Sequence, residues 1–312
     1  MPLKNSRCAR LSRATIRVAV SVIALDSLTR SYGSRRGVEN LSLSVPDGSL
    51  FGFLGPNGAG KTTTIRVLLG FLRPTRGSAR VFGFDCWRAS RRIKADVGYL
   101  PGDLRLYPWI NGRDALRIFG AVRGRDLLRR GQELADELDF DLRLKVRSMS
   151  RGTRQKLGLI LALAHEPRLL VLDEPTAGLD PLVQEQLRAH LRRLAAAGHT
   201  VFFSSHTLSE VESLCDRVAI VRAGRIVADG TLDELKLQAG HEVTIRWKDA
   251  GSSAQAAAPG FLKLERRDDL TWIGALEGPV SQLIEWLAGR PIADLTIGRP
   301  DLESLFRRYY KE

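Results

Sequence analysis

Two adjacent carboxylates, Asp173 and Glu174, follow the apolar run at residues 169–172. That run is apolar enough for a central parallel strand buried on both faces. At the carboxyl end of such a strand, where open α/β sheets bind ligands, Asp173 can hold Mg²⁺ and Glu174 can polarise an attacking water. Taken alone, the pair is better explained as an acidic loop after a core strand, so its function depends on a second motif.

A glycine-rich segment upstream supplies that motif, because residues 55–62 fit G-x-x-x-x-G-K-[ST]. Successive backbone N–H groups in such a loop form an anion-binding concavity. An apolar run at 50–54 precedes it and a helical apolar spacing over residues 61–71 follows it, so strand, loop and helix occur in the required order. Lys61 is expected to reach the β and γ phosphates of a nucleotide, and Thr62 to bind Mg²⁺. The predicted phosphate-binding residues are Gly55, Pro56, Asn57, Gly58, Ala59, Gly60, Lys61, Thr62 and Thr63.

Ser150 begins a third segment, S-R-G-T, which lies before the carboxylate strand. Serine is a favourable helix N-cap, and the spacing of Leu157, Ile160, Leu161 and Ala164 predicts the helix that it starts. By itself the segment is an ordinary helix cap, and only the neighbouring motifs make it a candidate site.

The three motifs, in this order, resemble the ATP-binding subunit of ABC transporters, with a match over residues 23–237. Within that superfamily the chain is most similar to bacterial drug-export ATPases of the daunorubicin-resistance type. The resemblance implies an α/β fold: a P-loop NTPase ABC nucleotide-binding domain with a helical subdomain, and a small C-terminal α+β accessory domain. It also implies ATP and Mg²⁺ as cofactors and ATP hydrolysis coupled to transmembrane transport.

The resemblance also assigns roles to single residues. It makes Tyr32 an aromatic platform for adenine, with a lone surface tyrosine as the alternative. Ser150 and Gly152 match the segment that meets the γ-phosphate of ATP held by a second copy. Asp180 matches the segment that crosses between subunits. The implied catalytic residues are Glu174, His206 and Lys61, and the implied metal ligands are Thr62 and Asp173. The other four histidines are expected to have surface or packing roles.

The chain departs from the family pattern at Gly102, where the family has Gln or Glu after V-G-Y-L-P. In the family that side chain reaches the metal and the attacking water, which glycine cannot do. Two alternatives stay open: the neighbouring Asp103 substitutes, or the loop acts through water. Arg151 and Thr153 are milder departures, since they leave the serine hydroxyl and the second glycine in place.

The predicted organisation has a tail and two domains, at residues 1–22, 23–239 and 240–312, with the helical subdomain at about 88–165. The tail carries a charge of +5 within residues 1–20 and no acid, and a signal peptide is rejected because its apolar part continues into a first strand. The tail is expected to be disordered or to lie upstream of the translation start that the cell uses, and attraction of its basic residues to a membrane surface stays open. The accessory domain is predicted from an alternating strand at 243–247, a small-residue loop at 251–260, a hairpin over 261–276 and a helix over 280–287, without catalytic groups.

No apolar stretch of the sequence approaches the length of a membrane span, so the chain is expected to be soluble and the pore to come from another polypeptide. The expected partners are a second copy in an ATP-sandwich dimer and a separate transmembrane permease, with no stable nucleic-acid partner. The expected location is cytoplasmic, peripheral on the inner face of the membrane. The basic region at 88–130 fits either a solvated face or a surface toward the membrane.

The alternative function is a non-transport ABC ATPase that acts on nucleic acid or ribosomes. Family members resembling chromosome or repair proteins need long coiled coils between the glycine loop and the serine segment, and only 88 residues lie between Lys61 and Ser150. Translation factors carry two cassettes, and here there is one. A degenerate nucleotide-binding regulator is a third possible class, and Gly102 is the only feature that favours it.

Overall fold

The computed structural model describes residues 21–33, 35–299, 302–303 and 305–306. The basic segment 1–20, on which the prediction of a disordered tail rests, lies outside the described residues. Ser21 and Val22, which were assigned to that tail, instead begin the first strand. They do so because Ser21 pairs with Pro46 of the next strand and Val22 is buried.

The structure has fourteen strands and ten α-helices with described bounds, and residues 302–303 and 305–306 are helical as well. The strands are β1 Ser21–Tyr32, β2 Arg35–Pro46, β3 Leu50–Leu54, β4 Arg76–Val81, β5 Phe84–Asp85, β6 Val97–Leu100, β7 Leu169–Asp173, β8 Thr200–Ser205, β9 Arg217–Arg222, β10 Arg225–Thr231, β11 His241–Trp247, β12 Leu262–Arg267, β13 Thr271–Leu276 and β14 Ile292–Ile297. The helices are α1 Lys61–Leu68, α2 Ser90–Ala95, α3 Gly112–Arg123, α4 Leu128–Glu137, α5 Arg151–Leu163, α6 Pro181–Ala196, α7 Leu208–Leu214, α8 Leu232–Ala239, α9 Ala250–Gln255 and α10 Val280–Leu287.

The central sheet has the strand order β10-β9-β3-β8-β7-β6, and it is parallel except for the β9–β10 hairpin. Every residue of β3, β7 and β8 is buried, as expected for parallel strands covered on both faces. The register pairs Leu54 with Ser205 and Asp173 with Ser204. The carboxyl ends of three neighbouring strands therefore lie at one edge of the sheet, where the glycine loop, the carboxylates and His206 follow them.

A second sheet, with the order β2-β1-β4-β5, shares a hydrophobic core with one face of the central sheet and with α1. Phe51, Phe53 and Phe202 lie in this core, with the rings of Phe51 and Phe202 stacked at 6.0 Å. This packing holds the helix that follows the glycine loop, because Ile65 of α1 is fully buried in the same cluster.

The helices α3, α4 and α5 pack together through buried leucines, among them Leu116, Leu134 and Leu157. Their core is continuous with the other face of the central sheet. The range 88–165 that the sequence suggested for a helical subdomain also contains β6, which is a strand of the central sheet. The helices beyond β6, from Gly112 onward, therefore form the helical part of that range.

The C-terminal residues form a separate sheet with the order β12-β13-β11-β14, and α10 packs on it. The predicted strand at 243–247 and the hairpin are confirmed as β11 and β12–β13. The small-residue loop was wrong in part, because residues 250–255 form α9. Asp249 caps this helix by accepting a hydrogen bond from the Ser252 N–H at 2.8 Å, an N-cap that the sequence analysis overlooked.

Candidate active site

The glycine loop joins β3 to α1 and takes a shape that needs glycine. Gly58 and Gly60 have φ of 81° and 106°, which L side chains rarely adopt. A Cβ on Gly60 would lie 2.7 Å from the Val38 side chain and 2.8 Å from the Gly37 carbonyl oxygen. Gly60 caps α1 without a side-chain hydrogen bond, and the first turn of the helix carries no acid. The positive end of α1 is therefore free to face an anion.

Lys61 lies beneath this loop and is only 5% exposed. Its Nζ donates to the carbonyl oxygens of Gly55 at 2.7 Å and Pro56 at 3.2 Å. The same Nζ lies 3.3 Å from Glu174 Oε1. One ammonium thus links the phosphate-binding loop to the carboxylate that follows β7.

Asp173 is buried at the end of β7 and accepts two side-chain hydrogen bonds. The Thr62 hydroxyl donates to Oδ2 at 3.0 Å, and the Ser204 hydroxyl donates to Oδ1 at 2.6 Å. The hydroxyl and carboxylate oxygens of Thr62 and Asp173 are adjacent hard ligands that suit Mg²⁺. Ser204 was not among the predicted site residues, although its place at the end of an apolar strand was a usable signal.

Glu174 leaves the strand with a φ of 50°, a sparsely populated conformation for a side chain of its size. Its N–H donates to the Ser204 carbonyl oxygen at 3.1 Å, which anchors the turn to β8. His206 Nδ1 lies 3.3 Å from Glu174 Oε2, and both side chains are partly exposed. The predicted pair of Glu174 and His206 is therefore brought together with Lys61.

A cavity of about 570 Å³ opens beside these groups. It is lined by Thr62, Arg66, Tyr99, Pro101, Gly102, Asp103, Arg105, Asp173 and Glu174. Burial and the charge of Asp173 raise the pKa of Tyr99 to about 12, against the opposing influence of Arg66. Arg66 and Tyr99 were not predicted as site residues, since nothing but their place in the fold brings them here.

Gly102 lies on the wall of this cavity, and a Cβ added to it would be 3.1 Å from the Asp173 carbonyl oxygen. A side chain at this position would therefore enter the site next to Asp173. The neighbouring Asp103 lines the same cavity but is 75% exposed and pairs with Arg105 at 2.8 Å. Its carboxylate is held by that arginine rather than by a group of the glycine loop.

Tyr32 lies at the end of β1, with a ring that is 40% exposed. A Cβ on Gly37 would lie 2.8 Å from the Tyr32 ring and 3.1 Å from the Thr63 methyl group, so the ring lies close to the start of α1. The Arg30 guanidinium lies 5.1 Å from the centre of the ring. A base stacked on Tyr32 would share the ring with this cation.

Ser150 is exposed and caps α5, accepting from the Thr153 N–H at 3.1 Å. The hydroxyls of Ser150 and Thr153 also lie 2.8 Å apart. Gly152 faces the Gly178 carbonyl oxygen, which would be 3.3 Å from an added Cβ. Asp180 caps α6 by accepting from the Val183 N–H at 3.0 Å. Within the described part of the chain, no hydrogen bond or ion pair joins Ser150, Gly152 or Asp180 to the glycine loop.

The sequence pattern of the ABC transporter family matches residues 38–177. The chain is also 36% identical over 305 residues to the daunorubicin resistance ATP-binding protein DrrA3 of Streptomyces coeruleorubidus, a match that covers 93% of this chain and 96% of that protein. The chain belongs to the ABC transporter family. It is 37% identical to the bacitracin transport ATP-binding protein BcrA of Bacillus licheniformis, over 69% of this chain and 72% of that protein.

Solved structures give the same family fold. The ATP-binding subunit of an ABC transporter superposes with a TM-score of 0.66 and 29% identity, over 70% of this chain and 93% of that one. A dimeric bacterial ABC transporter cassette, MJ0796, superposes with a TM-score of 0.63 at 21% identity, over 67% of this chain and 98% of that one. The expected α/β P-loop ABC fold, its ATP binding and its ATPase class are thus confirmed. Among the residues that the structure describes, no helix combines the length and apolarity that crossing a membrane requires.

Proposed function

We propose that this chain is the ATP-hydrolysing subunit of an exporter of drugs or other hydrophobic compounds, acting on a separate transmembrane permease. Relatives named for daunorubicin resistance and bacitracin transport support the choice of an exporter. The observation that carries the proposal is that Lys61 Nζ and His206 Nδ1 each lie 3.3 Å from a carboxylate oxygen of Glu174, at the carboxyl ends of the central strands. These are the groups that phosphate binding and water activation require.

In this proposal ATP places its phosphates on the glycine loop, at the start of α1. The Lys61 ammonium then exchanges its contact with Glu174 for the β and γ phosphates. Glu174 is released to polarise the attacking water, while His206 holds the carboxylate and the γ-phosphate in line. Glu174 is well placed for this role, because it is 27% exposed whereas the neighbouring Asp173 is buried.

Mg²⁺ is the metal that we propose for the site. Thr62 and Asp173 would hold it, since their oxygens lie 3.0 Å apart next to the phosphate-binding loop. Bound there, the ion supplies positive charge that offsets the charge of the β and γ phosphates. Ser204 orients Asp173 by donating to the oxygen that does not face Thr62.

The second half of the proposed mechanism is a dimer of two copies that encloses two ATP molecules. Ser150 and Gly152, at the start of α5, would then meet the γ-phosphate bound by the partner copy. Gln155 Nε2 donates to the Pro175 carbonyl oxygen at 3.1 Å, which ties α5 to the segment between Glu174 and Asp180. Closure of the dimer on the cytoplasmic side of the membrane would move the permease, and hydrolysis would reopen it.

The test is Glu174→Gln, which keeps the shape of the side chain and removes its negative charge. We expect ATP binding to remain, turnover to fall to a small fraction, and an ATP-bound dimer to accumulate on size-exclusion chromatography. Glu185→Gln is the matched control, because Glu185 is an exposed partner of Arg188 on α6. Normal hydrolysis by the Glu174→Gln protein would remove Glu174 from the proposed mechanism.

The export function is tested separately, by co-purification from membranes with a permease encoded in the adjacent reading frame. ATPase activity that rises in the complex is the expected result. Recovery of ribosomes or DNA with the chain, and of no membrane protein, would support the non-transport alternative instead. None of the relatives reported above favours that alternative.

A further inference from the structure

The cavity beside Gly102 is lined by a cationic side chain that has no role in the proposed mechanism. Arg66 lines the cavity, and its guanidinium forms no ion pair with any residue that the structure describes. The other two cations nearby are neutralised, since Lys61 lies 3.3 Å from Glu174 and Arg105 lies 2.8 Å from Asp103. Arg66 is therefore the free positive charge on this wall of the site.

Arg66 lines the cavity together with Thr62, which lies one turn earlier in α1. Arg66 follows Thr62 by four residues, so the two share one face of the helix. Long side chains of a helix point back toward its N-terminus, which here is the end of the glycine loop. Tyr99 and Asp173 line the same cavity as Arg66, so the guanidinium shares that space with the end of β7.

The cavity lining has no side chain at position 102, which is a glycine. A Cβ on Gly102 would face the Asp173 carbonyl oxygen at 3.1 Å, but glycine contributes no donor there. We propose that Arg66 contacts the γ-phosphate of bound ATP and thereby distinguishes ATP from ADP. A guanidinium suits this role, because its fork of N–H donors matches phosphate oxygens. This inference rests on the proposed function, which places the β and γ phosphates at Lys61, at the start of α1.

The test compares the affinities of the full-length chain for ADP and for AMP-PNP, an ATP analogue that is not hydrolysed, both with Mg²⁺. We expect Arg66→Met to weaken AMP-PNP binding by about tenfold, the loss of one charge-assisted contact, and to leave ADP binding unchanged. Arg66→Lys keeps the charge without the fork and should give an intermediate ratio. Arg129→Met is the control, because Arg129 is 84% exposed on α4 and pairs with Glu133.

An equal loss of affinity for both nucleotides would show that Arg66 only supports the fold of the loop, and would overturn the inference. Unchanged affinity for both nucleotides would overturn it as well. If thermal unfolding shows no transition for Arg66→Met, that variant is not folded and Arg66→Lys provides the test. A ratio of AMP-PNP affinity to ADP affinity that equals the wild-type ratio in Arg66→Lys counts against the guanidinium contact. Failure of the unsubstituted chain to bind either nucleotide would refute the proposed function itself, and not only the role of Arg66 at the γ-phosphate.

Discussion

The hydrogen bond from Ser204 should stabilise the buried Asp173 carboxylate and thereby the fold. The Ser204 hydroxyl is fully buried and donates to Asp173 Oδ1 at 2.6 Å, and Asp173 is itself 5% exposed. Hydrogen bonds to a charged group contribute about 1.5–3 kcal/mol, and a buried charge that loses one keeps its desolvation cost. Because Thr62 still donates to Oδ2, one bond of the pair remains. Ser204→Ala should therefore lower the free energy of unfolding by about 2 kcal/mol.

The same substitution frees the Asp173 side chain to rotate, so we also expect a higher Mg²⁺ concentration for half-maximal ATPase activity. The assays are urea unfolding and a Mg²⁺ titration of ATP hydrolysis. Ser213→Ala is the matched control, because the Ser213 hydroxyl donates at 2.9 Å to the uncharged Glu210 carbonyl oxygen within α7. A change in unfolding free energy no larger for Ser204→Ala than for this control, with an unaltered Mg²⁺ dependence, would refute the reasoning.

Two further predictions concern the glycine loop and pH. Gly60→Ala should abolish ATP binding in a nucleotide-binding assay, because the added Cβ would lie 2.7–2.8 Å from Val38 and Gly37. Gly198→Ala is the control, because Gly198 has a φ of 89° and open space around it; this variant should lose only about 1 kcal/mol of stability and keep ATP binding. Burial, and to a smaller extent the charge of Arg123, lowers the pKa of His165 to about 4 in the folded protein. The imidazole therefore binds its second proton more tightly in the unfolded chain than in the folded one. Urea unfolding should therefore show stability falling as pH drops from about 6.5 toward 4, with a shallower slope for His165→Gln; equal slopes would contradict this cause.

Local patterns were enough to predict the main elements of the site. β3 was predicted with its observed bounds at Leu50–Leu54, and α1 begins at Lys61 as expected. The ends of elements were less certain. The predicted helix after the glycine loop ran to Phe71, but α1 ends at Leu68, where Leu69 and Gly70 form a turn and Gly70 has a φ of 64°. The strand β14 was not predicted; none of its residues is buried, and it is held by pairing with β11.

Contacts between distant segments were not predictable in the same way. Ser204 lies 31 residues after Asp173, and only the parallel pairing of β7 and β8 places its hydroxyl on that carboxylate. The capping of α9 by Asp249 is a local pattern that was visible in the sequence and was overlooked, because the small residues that follow indicated a loop. The C-terminal Leu302 and Leu305 pack into the core formed by α3, α4, α5 and the central sheet, a long-range contact that no local pattern indicates.

The sequence by itself determined the class of chemistry, because phosphate binding and water activation need particular residue types at fixed local spacings. The glycine loop with Lys61 and Thr62, and the carboxylates Asp173 and Glu174, carry that information within short segments. The tertiary structure decided which groups share the cavity, since the order of parallel strands and the packing of α1 are set by burial across the whole chain. Arg66 belongs to that second kind of information, because no local motif links it to the site and only the packing of α1 brings it to the cavity.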